Sequence, residues 1–214
     1  MSNFRYDFLQ FALNEQVLKF GEFITKAGRK SPYFFNAGLF NHGLALKKLS
    51  QFYTQSIIES EIKFDMIFGP AYKGIVLAAT VASALSEHNI DVPFAYNRKE
   101  AKDHGEGGTI VGAELKGKVL IIDDVISAGT SVRESVNLIR ASGATPAGVA
   151  IALDRMEKGV TDKSAVEEVI EQYQIPVIAI ANLNDLLGML QNSNNQELQK
   201  FLPKVTAYRQ EYGV

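Results

Sequence analysis

Short apolar runs rich in branched side chains recur along the chain. Met66–Phe68, Val119–Ile122, Val149–Leu153 and Val177–Ile180 contain no polar residue, the pattern of strands covered on both faces of a sheet. Between and beyond them, Gly74–Glu87, Ser131–Ala141 and Ser164–Tyr173 have the length and apolar spacing of helices packed on such a sheet. Strand, helix, strand repeats require parallel strands joined by right-handed crossovers. The expected fold is therefore α/β: a doubly wound, mostly parallel central sheet flanked by helices. The ends read differently. Phe4–Leu13 predicts a helix, Val17–Phe23 and Tyr33–Asn36 predict strands, and Asn195–Tyr212 predicts a closing helix. Residues 1–214 are expected to form a single domain, with roughly residues 1–40 as a small N-terminal hood.

One segment breaks the alternation. Asn97–Gly112, NRKEAKDHGEGGTIVG, carries four basic or histidine side chains, three acidic ones and four glycines. It predicts a long flexible loop over 97–112. Loops of that length inside a domain are either lids over a site or solvated, charge-balanced excursions, and composition alone leaves both open.

Composition narrows the chemistry. The formal charge of −2 and pI near 6.0 give no global attraction to nucleic acid or an anionic membrane, so any basic site is local. The absence of cysteine excludes disulfides, thiolate catalysis and cysteine-ligated metals. No signal peptide is apparent near Met1 and no apolar run approaches membrane-spanning length, so the expected location is cytoplasmic, with no membrane or nucleic-acid partner. His42 and His88 have no motif around them and read as surface or helix-end residues. Zinc-protease, calcium-loop, serine-elbow and dinucleotide patterns are not found.

The chemistry-bearing stretch is KVLIIDDVISAGTS, Lys118–Ser131. Asp123 and Asp124 stand at the carboxyl end of a predicted strand, where ligands bind in open α/β sheets. Ser127, Ala128, Gly129, Thr130 and Ser131 then lead into a helix, whose first N–H groups and positive dipole suit an anion such as phosphate. The dipole contributes only about 0.3–1 kcal/mol, so several converging N–H and O–H donors are needed. No lysine follows the glycine as a Walker loop requires. Carboxylates repel phosphate but accept hydrogen bonds from hydroxyls. Acidic groups beside a phosphate cradle therefore point to a sugar phosphate, with magnesium as a possible partner held mainly by substrate and water. The bland alternative, two turn caps, uses one more aspartate than a turn needs.

VLIIDDVISAGTS resembles the phosphoribosyl-pyrophosphate signature of the type I phosphoribosyltransferases. KAGRKSPYFFNAG (Lys26–Gly38), GPAYKG (Gly69–Gly74), RKEAKDHGEGG (Arg98–Gly108) and LDR (Leu153–Arg155) extend the resemblance over most of the chain, to the orotate-using branch of that family. The resemblance implies transfer of ribose 5-phosphate from phosphoribosyl pyrophosphate to N1 of orotate, with Mg2+ as cofactor and no protein ligand to the metal assigned. It implies that Asp123 and Asp124 accept the ribose hydroxyls and that Val125, Ile126, Ser127, Ala128, Gly129, Thr130 and Ser131 hold the 5-phosphate. Many relatives have threonine at the Ser127 position. Tyr72 and Lys73 would form the pyrophosphate turn, and Lys26 would reach both substrates. Phe34, Phe35, Ser127 and Arg155 would bind orotate, where a guanidinium can meet the carboxylate through two parallel N–H bonds.

The same resemblance implies that Arg98, Lys99, Lys102 and His104 act on the departing pyrophosphate, from a catalytic loop that closes over the neighbouring site of a homodimer. At least Arg98 would work in trans. Read without the resemblance, Lys73 and Arg155 could equally be surface cations, and Phe34 and Phe35 core residues. Two other functions are weighed: transfer to a purine or another pyrimidine, and a non-catalytic phosphoribosyl-pyrophosphate sensor. Arg155 and Lys26–Gly38 disfavour the first. The second predicts a nucleic-acid-binding module for which the chain has no spare segment.

Overall fold

The computed structural model describes residues 4–25, 28–102, 108–159 and 161–214. In chain order the elements are α1 (Phe4–Asn14), β1 (Leu18–Ile24), β2 (Lys30–Phe35), α2 (Gly43–Ser60), β3 (Met66–Gly69), α3 (Lys73–Ser86), β4 (Phe94–Lys102), β5 (Gly108–Gly112), β6 (Lys118–Ile122), α4 (Thr130–Ala141), β7 (Thr145–Asp154), α5 (Ala165–Tyr173), β8 (Val177–Asn182), α6 (Leu183–Gln191), α7 (Gln196–Gln199) and α8 (Leu202–Tyr212). A short 3-10 turn, Ala37–Leu39, precedes α2.

Six strands form one sheet in the order β5-β4-β3-β6-β7-β8, all parallel except β5, which runs antiparallel to β4 at the edge. The chain winds outward from β3 to β4 and β5, then returns to the other side of β3 to lay down β6, β7 and β8. The strand order therefore switches between β3 and β6, and a crevice opens beyond their carboxyl ends.

The continuous apolar runs work because side chains alternate between two covered faces. Ile67, Leu120, Ile122, Ala150 and Ala152 enter one core with Phe8, Tyr53, Leu77 and Val81 from α1, α2 and α3. Met66, Phe68, Val119, Ile121, Val149 and Ile151 enter the other with Val132, Val136 and Ile139 from α4 and Val166 and Val169 from α5. The antiparallel β1-β2 hairpin is not a separate unit: Tyr33, Phe35 and α8's Val205 and Tyr208 belong to the first core. Phe8 of α1 meets the rings of both Phe35 and Phe52.

One expectation needs correction and another gains detail. The closing helix over Asn195–Tyr212 is two helices, α7 and α8, because Pro203 sits in the first turn of α8, where its missing N–H costs nothing; further along a helix it would break the ladder. The long flexible loop expected over 97–112 carries, in its described part, the ends of two paired strands, with Tyr96 opposite Val111, Asn97 opposite Ile110 and Lys102 opposite Gly108. Backbone pairing is indifferent to the charges that made this segment read as a loop, and Tyr96, Thr109, Ile110 and Val111 favour extended structure. Residues 103–107 lie outside the described residues. Among the described residues no helix is long and apolar enough to cross a membrane.

Candidate active site

The carboxyl end of β6 supplies the two aspartates. Both are buried, at 7% exposure each. Asp123 Oδ1 accepts the Asp124 N–H at 2.9 Å and Oδ2 accepts the Ser131 hydroxyl at 2.8 Å. The Asp123 carbonyl accepts the hydroxyl of Tyr53, from α2 beneath the loop, at 2.7 Å. Burial, and then the neighbouring Asp124 carboxylate, push Asp123 up to about 6, against the opposing pull of those hydrogen bonds. Asp124 has a counter-ion: Lys73 Nζ donates to its Oδ2 at 2.6 Å. Thus the expected sugar-phosphate carboxylates and the expected pyrophosphate lysine, 51 residues apart in sequence, meet in the crevice.

The loop after Asp124 is anchored at its start, where Val125 packs on the first core, and is open at its tip. Ile126 is buried in the second core, while Ser127, Ala128 and Thr130 are exposed. Gly129 takes a left-handed backbone (φ 66) as the N-cap of α4, and no side chain caps that helix. Across the crevice, Tyr72 stands at the N-cap of α3, again with no side-chain cap. By contrast α2, α5, α6 and α7 are capped by His42, Ser164, Asn182 and Asn195. Both helices that start at the switch point leave their first N–H groups for another acceptor.

The β3-α3 turn can approach β6 this closely because Gly74 carries no side chain. A Cβ on Gly74 would meet the Pro70 ring, the Gly69 carbonyl carbon and the Ile122 carbonyl oxygen. Ala71 N–H donates to Asn97 Oδ1 at 2.9 Å, tying the turn to β4. Lys99 Nζ lies 5.1 Å from the centre of the Tyr72 ring. Pro70, Ala71, Asn97 and Lys99 on one side, and Val125–Ser131 on the other, line a cleft of about 280 Å³. One wall is the expected 5-phosphate loop; the other includes Pro70 and Ala71, which precede the expected pyrophosphate residues Tyr72 and Lys73.

Arg155 follows β7, the next strand. Asp154 Oδ1 accepts the Met156 N–H at 2.8 Å and Met156 adopts a left-handed backbone (φ 50), a tight turn that projects Arg155 at the strand end. Its guanidinium lies 4.4 Å from the centre of the Tyr33 ring. It donates to Ser31 Oγ at 3.2 Å and pairs with Glu157 at 2.6 Å. The β1-β2 hairpin thereby reaches the carboxyl end of the sheet. Phe34 and Phe35 point opposite ways, as neighbours in a strand must. Phe34 is partly exposed and stacks on Phe23, whereas Phe35 is buried against Phe8, which leaves only its backbone for a ligand. Arg98 is half-buried and Lys99 exposed on β4. Lys26 and His104 lie outside the described residues, as does the side chain of Lys102.

Sequence reasoning missed Tyr53, Asn97, Ser31 and Glu157. Asn97 stood at the start of the segment read as a loop; the other three carry no local pattern that marks a site.

Fold, switch-point crevice and paired carboxylates beside two open helix ends define a phosphoribosyltransferase. The family model of the phosphoribosyl transferase domain matches residues 39–181, and the chain belongs to that family. An orotate phosphoribosyltransferase of Chromobacterium violaceum is 72% identical over all of this chain and 99% of its own length. One of Laribacter hongkongensis is 67% identical over the full length of both. The crystal structure of orotate phosphoribosyltransferase from Francisella tularensis superposes with a TM-score of 0.87 at 44% identity, covering 97% of this chain and 100% of that one. Within the family, the chain is therefore one of the orotate phosphoribosyltransferases.

Proposed function

We propose that the protein catalyses magnesium-dependent transfer of ribose 5-phosphate from phosphoribosyl pyrophosphate to N1 of orotate, releasing pyrophosphate and orotidine 5′-phosphate for pyrimidine synthesis in the cytoplasm. The observation that carries this reading is the Lys73–Asp124 pair, which joins the β3-α3 turn to the carboxylates of β6, beside a cleft lined by Pro70, Ala71 and the open N-terminus of α4. In this reading the ribose hydroxyls donate to the two carboxylates while the 5-phosphate accepts from the backbone and hydroxyls of Val125–Ser131. The pyrophosphate lies against Tyr72, Lys73 and the start of α3. Arg155 takes the orotate carboxylate, with Phe34 and Ser127 beside the ring and Lys26 reaching both substrates.

Substitution at the anomeric carbon develops positive charge on the ribose and negative charge on the departing pyrophosphate. The buried carboxylates suit the first, and Arg98, Lys99, Lys102 and His104 supply donors for the second; loss of one well-aimed donor of this kind costs about 2.7–4 kcal/mol of barrier. Among the described residues no three His, Cys, Asp or Glu side chains cluster to hold a metal. The donor set fits a magnesium ion carried on substrate oxygens and water, where it would neutralise charge on the leaving group. The β4-β5 arm is assigned to the neighbouring active site of a homodimer, with Arg98 acting in trans. Mixed dimers of Arg98→Ala and Asp124→Asn should then regain activity that neither parent has.

The test of the reaction is spectrophotometric: orotate consumption with phosphoribosyl pyrophosphate, with and without magnesium, and identification of the product. Magnesium-dependent formation of orotidine 5′-phosphate is expected. Turnover with hypoxanthine, adenine or uracil in its place would move the chain to another branch, and ligand binding without consumption of any base would favour the sensor.

A further inference from the structure

Arg155 is not a free cation waiting for a carboxylate. Its Nε donates to Glu157 Oε1 at 2.8 Å and its Nη2 lies 2.6 Å from the same oxygen, so one carboxylate oxygen spans the Nε/Nη2 edge of the guanidinium. Nη2 also reaches Ser31 Oγ at 3.2 Å, while Nη1 makes no hydrogen bond among the described residues. The face of the group rests on the Tyr33 ring at 4.4 Å. One edge and one face are thus fixed; on the other fork Ser31 takes Nη2, and Nη1 is open to an anion that would replace or share the Ser31 contact.

Glu157 is itself held from several directions. Tyr208 donates its hydroxyl to Oε1 at 2.8 Å, and Arg29 Nη1 stands 3.5 Å from Oε2. Arg29 also donates to the Lys158 carbonyl at 3.0 Å. The last residues of the chain close over the turn: Lys158 N–H donates to the Tyr212 carbonyl at 2.8 Å, Val214 N–H to the Met156 carbonyl at 3.0 Å, and Glu157 bridges Gly213. Burial, and then Glu157, push Tyr208 up to about 12, so its hydroxyl keeps the proton it donates at neutral pH.

We propose that Glu157, braced by Tyr208, Arg29 and the C-terminal strap, is a positioning residue that fixes the plane and free edge of Arg155 and thereby sets the preference for a carboxylated pyrimidine. The proposal rests on the orotate reading above. Glu157 touches no reacting atom; it acts through Arg155.

The experiment is a kinetic comparison of the full-length enzyme with Glu157→Ala, Glu157→Gln and Tyr208→Phe, each with a thermal melt. For Glu157→Ala the KM for orotate should rise about tenfold or more, while the KM for phosphoribosyl pyrophosphate stays within about twofold. Glu157→Gln should recover part of the loss, since its amide oxygen can still accept from the Nε edge. Tyr208→Phe removes one hydroxyl and should raise the orotate KM about two- to fivefold, a result that stands even if Glu157→Ala fails to fold. An unchanged or lowered orotate KM, or equal rises for both substrates, would overturn the proposal alone. A parent enzyme that converts no orotate would overturn the orotate reading with it.

Discussion

Asp123→Asn should stabilise the unliganded protein while crippling it. The Asp123 carboxyl titrates at about 6 rather than the usual 3.8 because burial and Asp124 disfavour its charge. A native state that holds a proton more tightly than the unfolded chain is most favoured below the unfolded value, and loses that advantage as pH rises through the folded one. At about 1.36 kcal/mol per pKa unit, the ionised carboxylate forfeits about 3 kcal/mol at neutral pH. Asparagine keeps an acceptor for the Asp124 N–H and a partner for the Ser131 hydroxyl without the charge. At roughly 2–4 °C per kcal/mol for a chain of this size, melting temperature should rise by roughly 6–12 °C at pH 8. The gain should shrink towards zero near pH 4. Binding of phosphoribosyl pyrophosphate should weaken about 10- to 150-fold, the equivalent of one hydrogen bond to a charged group. Thermal melts across pH 4–8 and calorimetric titrations read both quantities. A stability difference independent of pH, or a variant less stable at pH 8, would refute the reasoning.

Asp124→Asn should separate the two parts of the substrate: Lys73 loses its counter-ion, so inorganic pyrophosphate should bind more tightly, whereas phosphoribosyl pyrophosphate should bind less tightly because its hydroxyls lose an ionised acceptor. Calorimetry with each ligand checks this, and parallel losses would count against it. Tyr53→Phe leaves the buried Asp123 carbonyl without its donor and should cost about 1–3 kcal/mol in denaturant unfolding. Gly74→Ala pushes a methyl into Pro70 and the Ile122 carbonyl; overpacking of this kind costs about 1–3 kcal/mol, and the displaced turn should also raise the KM for phosphoribosyl pyrophosphate.

What could be read from the sequence was whatever is contiguous. The Lys118–Ser131 stretch announces itself because an apolar strand, two acids and a hydroxyl-rich turn follow one another directly, and the structure keeps that order at the end of β6. Helix α2 was not anticipated because Ser50, Thr54 and Ser56 are buried along with Leu49, Tyr53 and Ile57, which blurs the apolar period. The strand character of β4 was hidden by its charges, since its pairing with β5 is a matter of backbone. Phe34 and Phe35 look alike in sequence, and only the strand period separates an exposed ring from a core one. Glu157 and Tyr208 are 51 residues apart, and nothing local marks either as a neighbour of Arg155.

Two of the candidate site's charged groups are held against opposite charges. Lys73, half exposed, covers Asp124; Glu157 covers one edge of Arg155; the N-termini of α3 and α4 have no side-chain cap, and their donors are neutral N–H groups that water can satisfy at little cost. Binding a sugar pyrophosphate is then an exchange of partners. In the proposed reaction the anion would draw Lys73 away from Asp124, and the ribose hydroxyls would arrive as replacement donors to that carboxylate. A ligand offering only one half of the exchange leaves either a lysine or a carboxylate poorly matched. On the proposed reading, selectivity for a phosphate-bearing sugar with free hydroxyls would follow from the Lys73–Asp124 pair as much as from the phosphate loop itself.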